Sequence, residues 1–369
     1  MDFGSLYRTI TCAYAAIPKA LFGGYAFPPI HVFIELTRRC NLRCAMCQNL
    51  AYMDQLSVRE EKERELTLEE LKRIIAATPR FSLITFTGGE PLFRDDFADI
   101  LRHVASARRC HVITNGVLID KKMAQLMVAS AARDLFSRGL VFVGISIHGP
   151  AEVHDRITGV QGCFSRVTEA ARNLAEAKAA AHSRLPFVYV CVVLTGETVT
   201  TLPEMPAIAK AASADVLNVT LQNTSVELSI VSGATMETMF TPPRPPDFIN
   251  ADVLRAKLSE TLQRAQQLGI QVRLPRMPMS HVVDYYSGRW NGRGYTCNAP
   301  WTKTFISPHG KVYTCHQFEA GSVREKPLKA IWNNAEYRRF RQVLKRHKVF
   351  PVCAGCCEIE YASRSADKK

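Results

Sequence analysis

The 369-residue chain is expected to be an α/β protein, a partial (β/α)6 barrel with a small C-terminal unit built from a β-hairpin, a helix and clustered cysteines. Three observations predict this. Short apolar runs alternate with helix-length amphipathic segments over residues 31–221, the pattern of parallel strands joined by right-handed crossovers. Residues suited to binding ligands follow directly on the ends of two of these runs, where βα barrels carry their sites. After residue 221 the alternation lapses, and a second group of cysteines closes the chain.

The elements follow in order. Strands are expected at residues 32–36, 82–87, 111–114, 140–147, 187–194 and 216–221. Helices are expected between them at 68–78, 93–105, 121–132, 164–180 and 202–212. The first of these has Thr67 as N-cap and Glu70 three residues on, a capping box. Residues 222–250 form a long loop, stiffened by Thr241-Pro-Pro-Arg-Pro-Pro-Asp247, which is expected to cover the barrel mouth. A helix over 253–268 and a short strand over 270–274 end the barrel. This divides the chain into an N-terminal segment (1–30), a barrel (31–275) and a tail (276–369). In the first segment Tyr7, Ile10, Tyr14, Ile17 and Leu21 recur at helical spacing. Pro18 and the scarcity of basic residues argue against a membrane-surface helix, so packing on the barrel is expected.

Hydrophobic residues make up 47% of the chain, ample for a core, and no run approaches the ~18 apolar residues of a membrane span. A net charge of +13 raises nucleic acid or acidic molecules as partners. The densest basic run, residues 338–348, carries Phe340, Val343 and Leu344 at helical spacing with Trp332. That makes it a solvated helix face, and no aromatic-rich RNA-binding motif accompanies it, so nucleic acid is disfavoured. Twelve cysteines without a secretory leader point to reduced thiols and a cytoplasmic setting.

Three of those thiols carry the chemistry. Cys40, Cys44 and Cys47 lie on one loop directly after the first strand, separated by three residues and then two. Structural zinc needs four closed ligands, and neither His nor a fourth Cys lies close enough in sequence to complete the set. Three thiolates can hold three corners of an iron–sulfur cube and leave the fourth iron open. A second signal agrees. Thr85-Phe-Thr-Gly-Gly-Glu-Pro91 ends the second strand, and its glycines let backbone approach a ligand closely.

Together these motifs resemble the radical S-adenosylmethionine superfamily. The resemblance implies that Cys40, Cys44 and Cys47 ligate a 4Fe–4S cluster whose open iron chelates S-adenosylmethionine. Gly88, Gly89 and Glu90 are then expected at the amino group of that cofactor. Met46 stands beside it, where many members have an aromatic residue. Asn115, after the third strand, and Ser146 and Arg156, at and beyond the end of the fourth, inherit cofactor contacts from the same resemblance. His148 occupies a position where many relatives have Asp. Asp155, Glu152, His148, Arg156 and Asp284 remain unranked candidates for proton transfer. Cys12, Cys110, Cys163 and Cys191 are expected to be small buried hydrophobes.

In the tail, Cys297 and Cys315 flank a hairpin over 305–313 with its turn at Pro308-His-Gly310, and Cys353 and Cys356 form a tight pair. Two and two close a site completely. This tail resembles the twitch domain, the shortened relative of the SPASM extension, which implies one auxiliary 4Fe–4S cluster held by Cys297, Cys315, Cys353 and Cys356. Cys357 is then a substitute ligand or a proton donor. The leading expectation is a radical oxidoreductase that dehydrogenates or epimerises a small molecule or sugar, supplied with electrons by a flavodoxin or ferredoxin. Ribosomal-peptide maturation is the alternative; the thirty residues before the first strand are too few for a peptide-recognition domain, although such domains also occur as separate proteins. A non-catalytic iron–sulfur or zinc-binding protein is the third reading.

Overall fold

The computed structural model describes residues 3–21, 23–53, 55–225, 234–315 and 317–362, the first six of these by backbone alone. Helix α1 (Phe3–Leu21) precedes the first strand, β1 (His31–Glu35). Helices α2 (Val58–Arg64) and α3 (Leu68–Ala77) both start on capping boxes, Ser57 with Glu60 and Thr67 with Glu70, which satisfy each other's orphan donors. Only the second is among the expected elements, although Ser57-x-x-Glu60 carries the same signal. The alternation continues through β2 (Leu83–Thr87), α4 (Phe97–Ala107), β3 (Arg109–Thr114), α5 (Lys121–Ala129) and β4 (Gly139–Ser146). An unexpected helix, α6 (Ala151–Thr158), leads to α7 (Cys163–Ala180) and β5 (Phe187–Leu194). The helix expected over 202–212 shortens to α8 (Met205–Ala211), because Pro203 and Pro206 remove backbone donors and leave a 3-10 turn before it. Then follow β6 (Val216–Leu221), α9 (Ala251–Leu268), β7 (Gln271–Arg273), α10 (Met279–Tyr286) and β8 (Tyr295–Cys297). The tail adds β9 (Lys303–Ile306), β10 (Lys311–Tyr313), β11 (Glu319–Ser322), α11 (Leu328–Trp332), α12 (Ala335–His347) and β12 (Ile359–Tyr361).

Strands β1 to β7 lie side by side in sequence order and all parallel, the short strand expected over 270–274 joining the other six as β7. On the far side β9 pairs parallel with β1, and β10 and β11 continue antiparallel. The tail hairpin thus extends the barrel's own sheet and covers what would be its open edge. A second, two-stranded ribbon joins β8 to β12.

Burial alternates along the strands. Val32, Ile34, Cys110, Val112, Val190, Val192, Leu217 and Val219 are closed off beneath the helices. Their neighbours Phe33, Glu35, His111, Ile113, Tyr189, Cys191, Asn218 and Thr220 remain half-buried. Successive side chains point to opposite faces, so the second set lines a lumen with room left in it. Register places Phe305, Phe33, Thr85, His111 and Phe142 in one lateral row around that lumen. Stacked rings close its lower end, with His31 on Phe33 at 4.1 Å and Phe33 on Phe305 at 4.6 Å. Cys110 and Cys163 are buried as expected, whereas Cys191 faces the lumen.

The N-terminal helix docks on the tail instead of the barrel wall: Lys19 Nζ reaches Thr296 Oγ1 at 3.0 Å, the Cys297 carbonyl at 3.2 Å and Asn298 Oδ1 at 3.0 Å. Among the described residues no helix is long and apolar enough to cross a membrane. The long loop, apart from residues 226–233, which lie outside the described ones, also runs along the tail. Glu319 N–H donates to the Ala234 carbonyl at 3.2 Å, and the Phe240 ring meets Phe350 edge-on at 5.3 Å.

Helix α12 confirms the amphipathic reading of the basic run with one exception. Arg341 is fully buried, sandwiched between the Trp332 and Tyr337 rings and donating to the Pro300 carbonyl (2.6 Å) and the Gly24 carbonyl (3.0 Å). Arg341→Ala removes these charge-assisted bonds and should lower stability by about 3 kcal/mol, read as a reduced urea midpoint with unchanged m-value.

Candidate cofactor and cluster sites

The loop after β1 is fixed before any cysteine is reached. Thr37 and Arg39 both bond to the buried Glu65, Arg39 in a bidentate pair at 2.8 and 2.9 Å, and Arg94 reaches the Leu36 and Leu66 carbonyls. The turn after β2 then lies backbone-on-backbone against it: Gly89 N–H donates to Thr37 O at 2.7 Å, and Glu90 N–H to Arg39 O at 2.9 Å. A Cβ on Gly88 would come within 2.3 Å of Thr37 O, and one on Gly89 within 2.3 Å of Arg39 O. The glycines are therefore needed for this docking as well as for ligand approach. On the far side, Arg43 and Ala45 N–H groups bond to the Thr158 and Ile157 carbonyls, using acceptors that the end of α6 leaves open.

Cys40, Cys44 and Cys47 converge, each pair lying near enough for one thiolate to disfavour another. Burial pushes Cys40 up to about 11 and Cys44 up to about 12. Against that, donors point at the sulfurs: Leu42 N–H to Cys40 Sγ at 3.4 Å, Asn49 N–H to Cys47 Sγ at 3.4 Å and Asn115 Nδ2 to Cys40 Sγ at 3.7 Å. Buried thiols that resist ionisation, supplied with N–H donors, suit a multiply charged iron cluster that displaces their protons. The donor set fits the group the motif implies. Among the described residues no three Cys, His, Asp or Glu side chains close around a single metal ion; a cube takes one cysteine per iron and spreads its thiols further.

Glu90 is tied to the strand ends. Its carboxylate is fully buried and accepts from Leu92 N–H (3.0 Å), Thr114 Oγ1 (2.7 Å) and Asn115 N–H (2.7 Å). Burial raises its pKa to about 7 against those three donors. The side chain ties the β2 and β3 ends together, leaving the backbone of Gly88-Gly89-Glu90 as the part that borders the thiol loop. Asn115 sits beside the thiols, its Nδ2 also held by Asn41 Oδ1 at 2.8 Å. Met46 is half-buried on the loop itself. Ser146 lies at the lumen lip, in register with Cys191. Arg156 is largely exposed and paired with Glu197.

The candidate acids and bases are mostly committed elsewhere. Asp155 caps α7, accepting from Gly162 N–H (2.6 Å) and Phe164 N–H (2.8 Å), and Asp284 pairs with Arg289 on the surface. His148 and His154 are buried and stacked, and His148 N–H donates to His154 Nδ1 at 3.1 Å. Desolvation lowers their pKa values to about 3 and about 4. Sequence reasoning missed Glu35, His111, Tyr189, Asn218 and Arg273, which line or border the lumen. Their signal was polar residues at every second position of otherwise apolar strands.

In the tail, Cys297, Cys315, Cys353 and Cys356 come together, linked in a chain of mutual influence in which Cys297 feels Cys353 and Cys315, and Cys356 feels both Cys353 and Cys297. Cys353 is pushed up to about 12 by burial. Gly355, with φ of 73°, permits the tight Cys353–Cys356 turn, where a Cβ would strike the Tyr285 hydroxyl at 2.2 Å. Cys357 is exposed, with Glu358, Lys303, Arg276 and Arg273 as its charged neighbours.

Two outcomes follow. Gly89→Ala should abolish iron incorporation, measured by iron and sulfide content after anaerobic reconstitution, while Gly23→Ala, whose Cβ meets nothing nearer than 3.8 Å, retains it. Because His148 is neutral when folded and takes up a proton only when unfolded, stability falls as pH drops from about 6.5 toward 4. His148→Gln should make that slope shallower by about 1.4 kcal/mol per pH unit in urea titrations across the window.

Comparison with known proteins agrees with this geometry. Residues 34–205 match the model of the radical SAM superfamily, and residues 297–357 that of the SPASM iron–sulfur cluster-binding domain. The chain is 30% identical to the PqqA peptide cyclase of Xanthomonas axonopodis pv. citri over 350 residues, covering 90% of this chain and 81% of that one. It is 26% identical to the AdoMet-dependent heme synthase of Nitratidesulfovibrio vulgaris, covering 87% and 83%. Streptococcus suis SuiB, in its crystal structure bound to precursor peptide SuiA, superposes with a TM-score of 0.63 at 14% identity, covering 97% of this chain and 80% of that one, which establishes the shared fold. The protein is therefore a radical S-adenosylmethionine enzyme with a C-terminal SPASM domain, and its cofactors are S-adenosylmethionine and 4Fe–4S clusters.

Proposed function

We propose that this enzyme modifies a peptide, with Cys40, Cys44 and Cys47 holding the S-adenosylmethionine cluster and Cys297, Cys315, Cys353 and Cys356 an auxiliary one. When bound, the first cluster and S-adenosylmethionine supply a 5′-deoxyadenosyl radical that takes a hydrogen atom from substrate. The chain's own residues bind and orient. The Gly88-Gly89-Glu90 backbone, Asn115, Met46, Ser146 and Arg156 border the cofactor in this reading. The lumen receives the reacting segment between Glu35 on β1 and Arg273 on β7. Glu35 sits at the end of β1, its carboxyl pushed above the usual range by burial while Arg38 and His309 oppose that shift. It is placed to hold or release a proton near the thiol loop. A flavodoxin or ferredoxin would deliver electrons.

The observation that carries the reading is the set of half-buried polar side chains on the inner strand faces, Glu35, His111, Asn218 and Thr220 among them, with Arg273 of β7 near Cys357 of the tail. Support for a peptide comes from relatives that span most of the chain and are named for peptide substrates. The small-molecule or sugar dehydrogenation expected first has less behind it.

Anaerobic protein given dithionite, S-adenosylmethionine and a peptide library should form 5′-deoxyadenosine together with a mass-shifted peptide. Stimulation by a peptide-free metabolite fraction alone would overturn the peptide reading. Replacing Cys40, Cys44 and Cys47 by Ala should eliminate the nucleoside. Replacing the four tail cysteines should lower iron by about four atoms per chain.

A further inference from the structure

Beside the tail thiols lies a groove of about 700 Å³ that the chemistry above does not use. Its volume falls in the ~300–1,000 Å³ range of ligand clefts. The proline run Pro242–Pro246 forms part of its wall, together with Trp290, Tyr295, Phe350 and Pro351. Prolines fix φ and leave few conformations to lose on binding, so this wall is shaped in advance. Ala354, between Cys353 and Cys356, also lines it, so the groove reaches the back of the auxiliary thiol loop.

Its charge is one-sided. Arg244, Arg293 and Lys348 line the groove with His347 beside them, and no Asp or Glu does. Arg293 and Lys348 are exposed and make no ion pair among the described residues. The nearest acid on α10, Asp284, is held by Arg289. Along α12 Arg339 and Arg346 stay exposed, while its other Arg and Lys side chains are engaged by neutral acceptors or buried. Arg338 is bonded to the Tyr25 hydroxyl at 2.9 Å, Lys345 to the Ala20 carbonyl at 3.2 Å, and Arg341 is buried.

We propose that this groove docks an acidic segment of the peptide substrate, outside the lumen, and so sets which peptides the enzyme accepts. The inference rests on the peptide reading above and names the substrate's chemistry. Carboxylates along an extended segment meet Arg244, Arg293, His347 and Lys348, while its apolar atoms lie on the prolines and aromatic rings. Such pairing acts through selectivity and encounter rate.

The test uses reconstituted full-length enzyme and a fluorescein-labelled peptide of alternating Glu and Ala, followed by fluorescence anisotropy. The Glu peptide should bind, and its Gln counterpart at least about tenfold more weakly. Arg293→Glu with Lys348→Glu should weaken the Glu peptide by about tenfold or more. Arg138→Glu with Arg172→Glu, an equal charge change on exposed residues elsewhere, should leave binding within about twofold. Both double variants should keep wild-type circular dichroism and iron content. Equal losses in the two double variants, equal binding of the Gln peptide, or tighter binding of oligouridylate would each overturn the proposal. The two readings separate cleanly. If the Glu peptide binds as described but no peptide stimulates 5′-deoxyadenosine, the peptide reading falls and the groove stands as an acidic-peptide site. If a peptide is turned over identically by wild type and by Arg293→Glu with Lys348→Glu, the groove falls and the peptide reading stands.

Discussion

Everything in the active region depends on two chain segments touching without side chains between them. The turn after β2 lies directly on the residues that lead into the first cysteine, held by Gly89 N–H to Thr37 O and Glu90 N–H to Arg39 O. A single methyl group at either glycine would occupy space already filled by carbonyl oxygen. That contact sets where the loop begins, and Glu65, bound by Thr37 and Arg39, sets its direction. The thiols inherit their positions from backbone geometry, which bends far less than side chains do.

Buried charge is arranged in the same conservative way. Glu90, Glu65 and Arg341 are all closed off from water and each is surrounded by bonding partners. An unpaired buried charge would be ruinous, so each acts as a rivet between elements remote in sequence: Glu90 joins β2 to β3, and Arg341 joins α12 to the segment before β1. The lumen differs. Glu35, His111 and Cys191 are only half-buried there, and this contrast separates the polar groups that hold the fold together from those left on the lumen's surface.

Much of this was legible in the sequence because its cues are local. Six strands, the capping box at Thr67 and both groups of cysteines follow from spacing over a few residues. The helix at Ser57 carried an equally local cue. What could not be read depended on tertiary placement. Arg341 looks like its solvated neighbours until Trp332 and Tyr337 close on it. Glu90 looks like a ligand-facing carboxylate until Thr114 and Asn115, twenty-four and twenty-five residues on, claim both its oxygens. Cys191 reads as an ordinary apolar thiol because only barrel closure decides which face of β5 is the inner one. The peptide-versus-metabolite choice lay beyond any single motif, since the cofactor machinery is indifferent to what fills the lumen.

The parallel pairing of β9 with β1 carries a lesson for how such a molecule can be assembled or altered. The tail is a plank in the barrel's own wall, so deleting it would expose a row of unsatisfied amides and carbonyls on the very strand that launches the first thiol loop. Exchanging it for another module would demand a replacement plank of matching length and direction. The first thiol loop and Cys315, two residues beyond β10, thus hang from one hydrogen-bonded girder, and neither can drift relative to the other without breaking it.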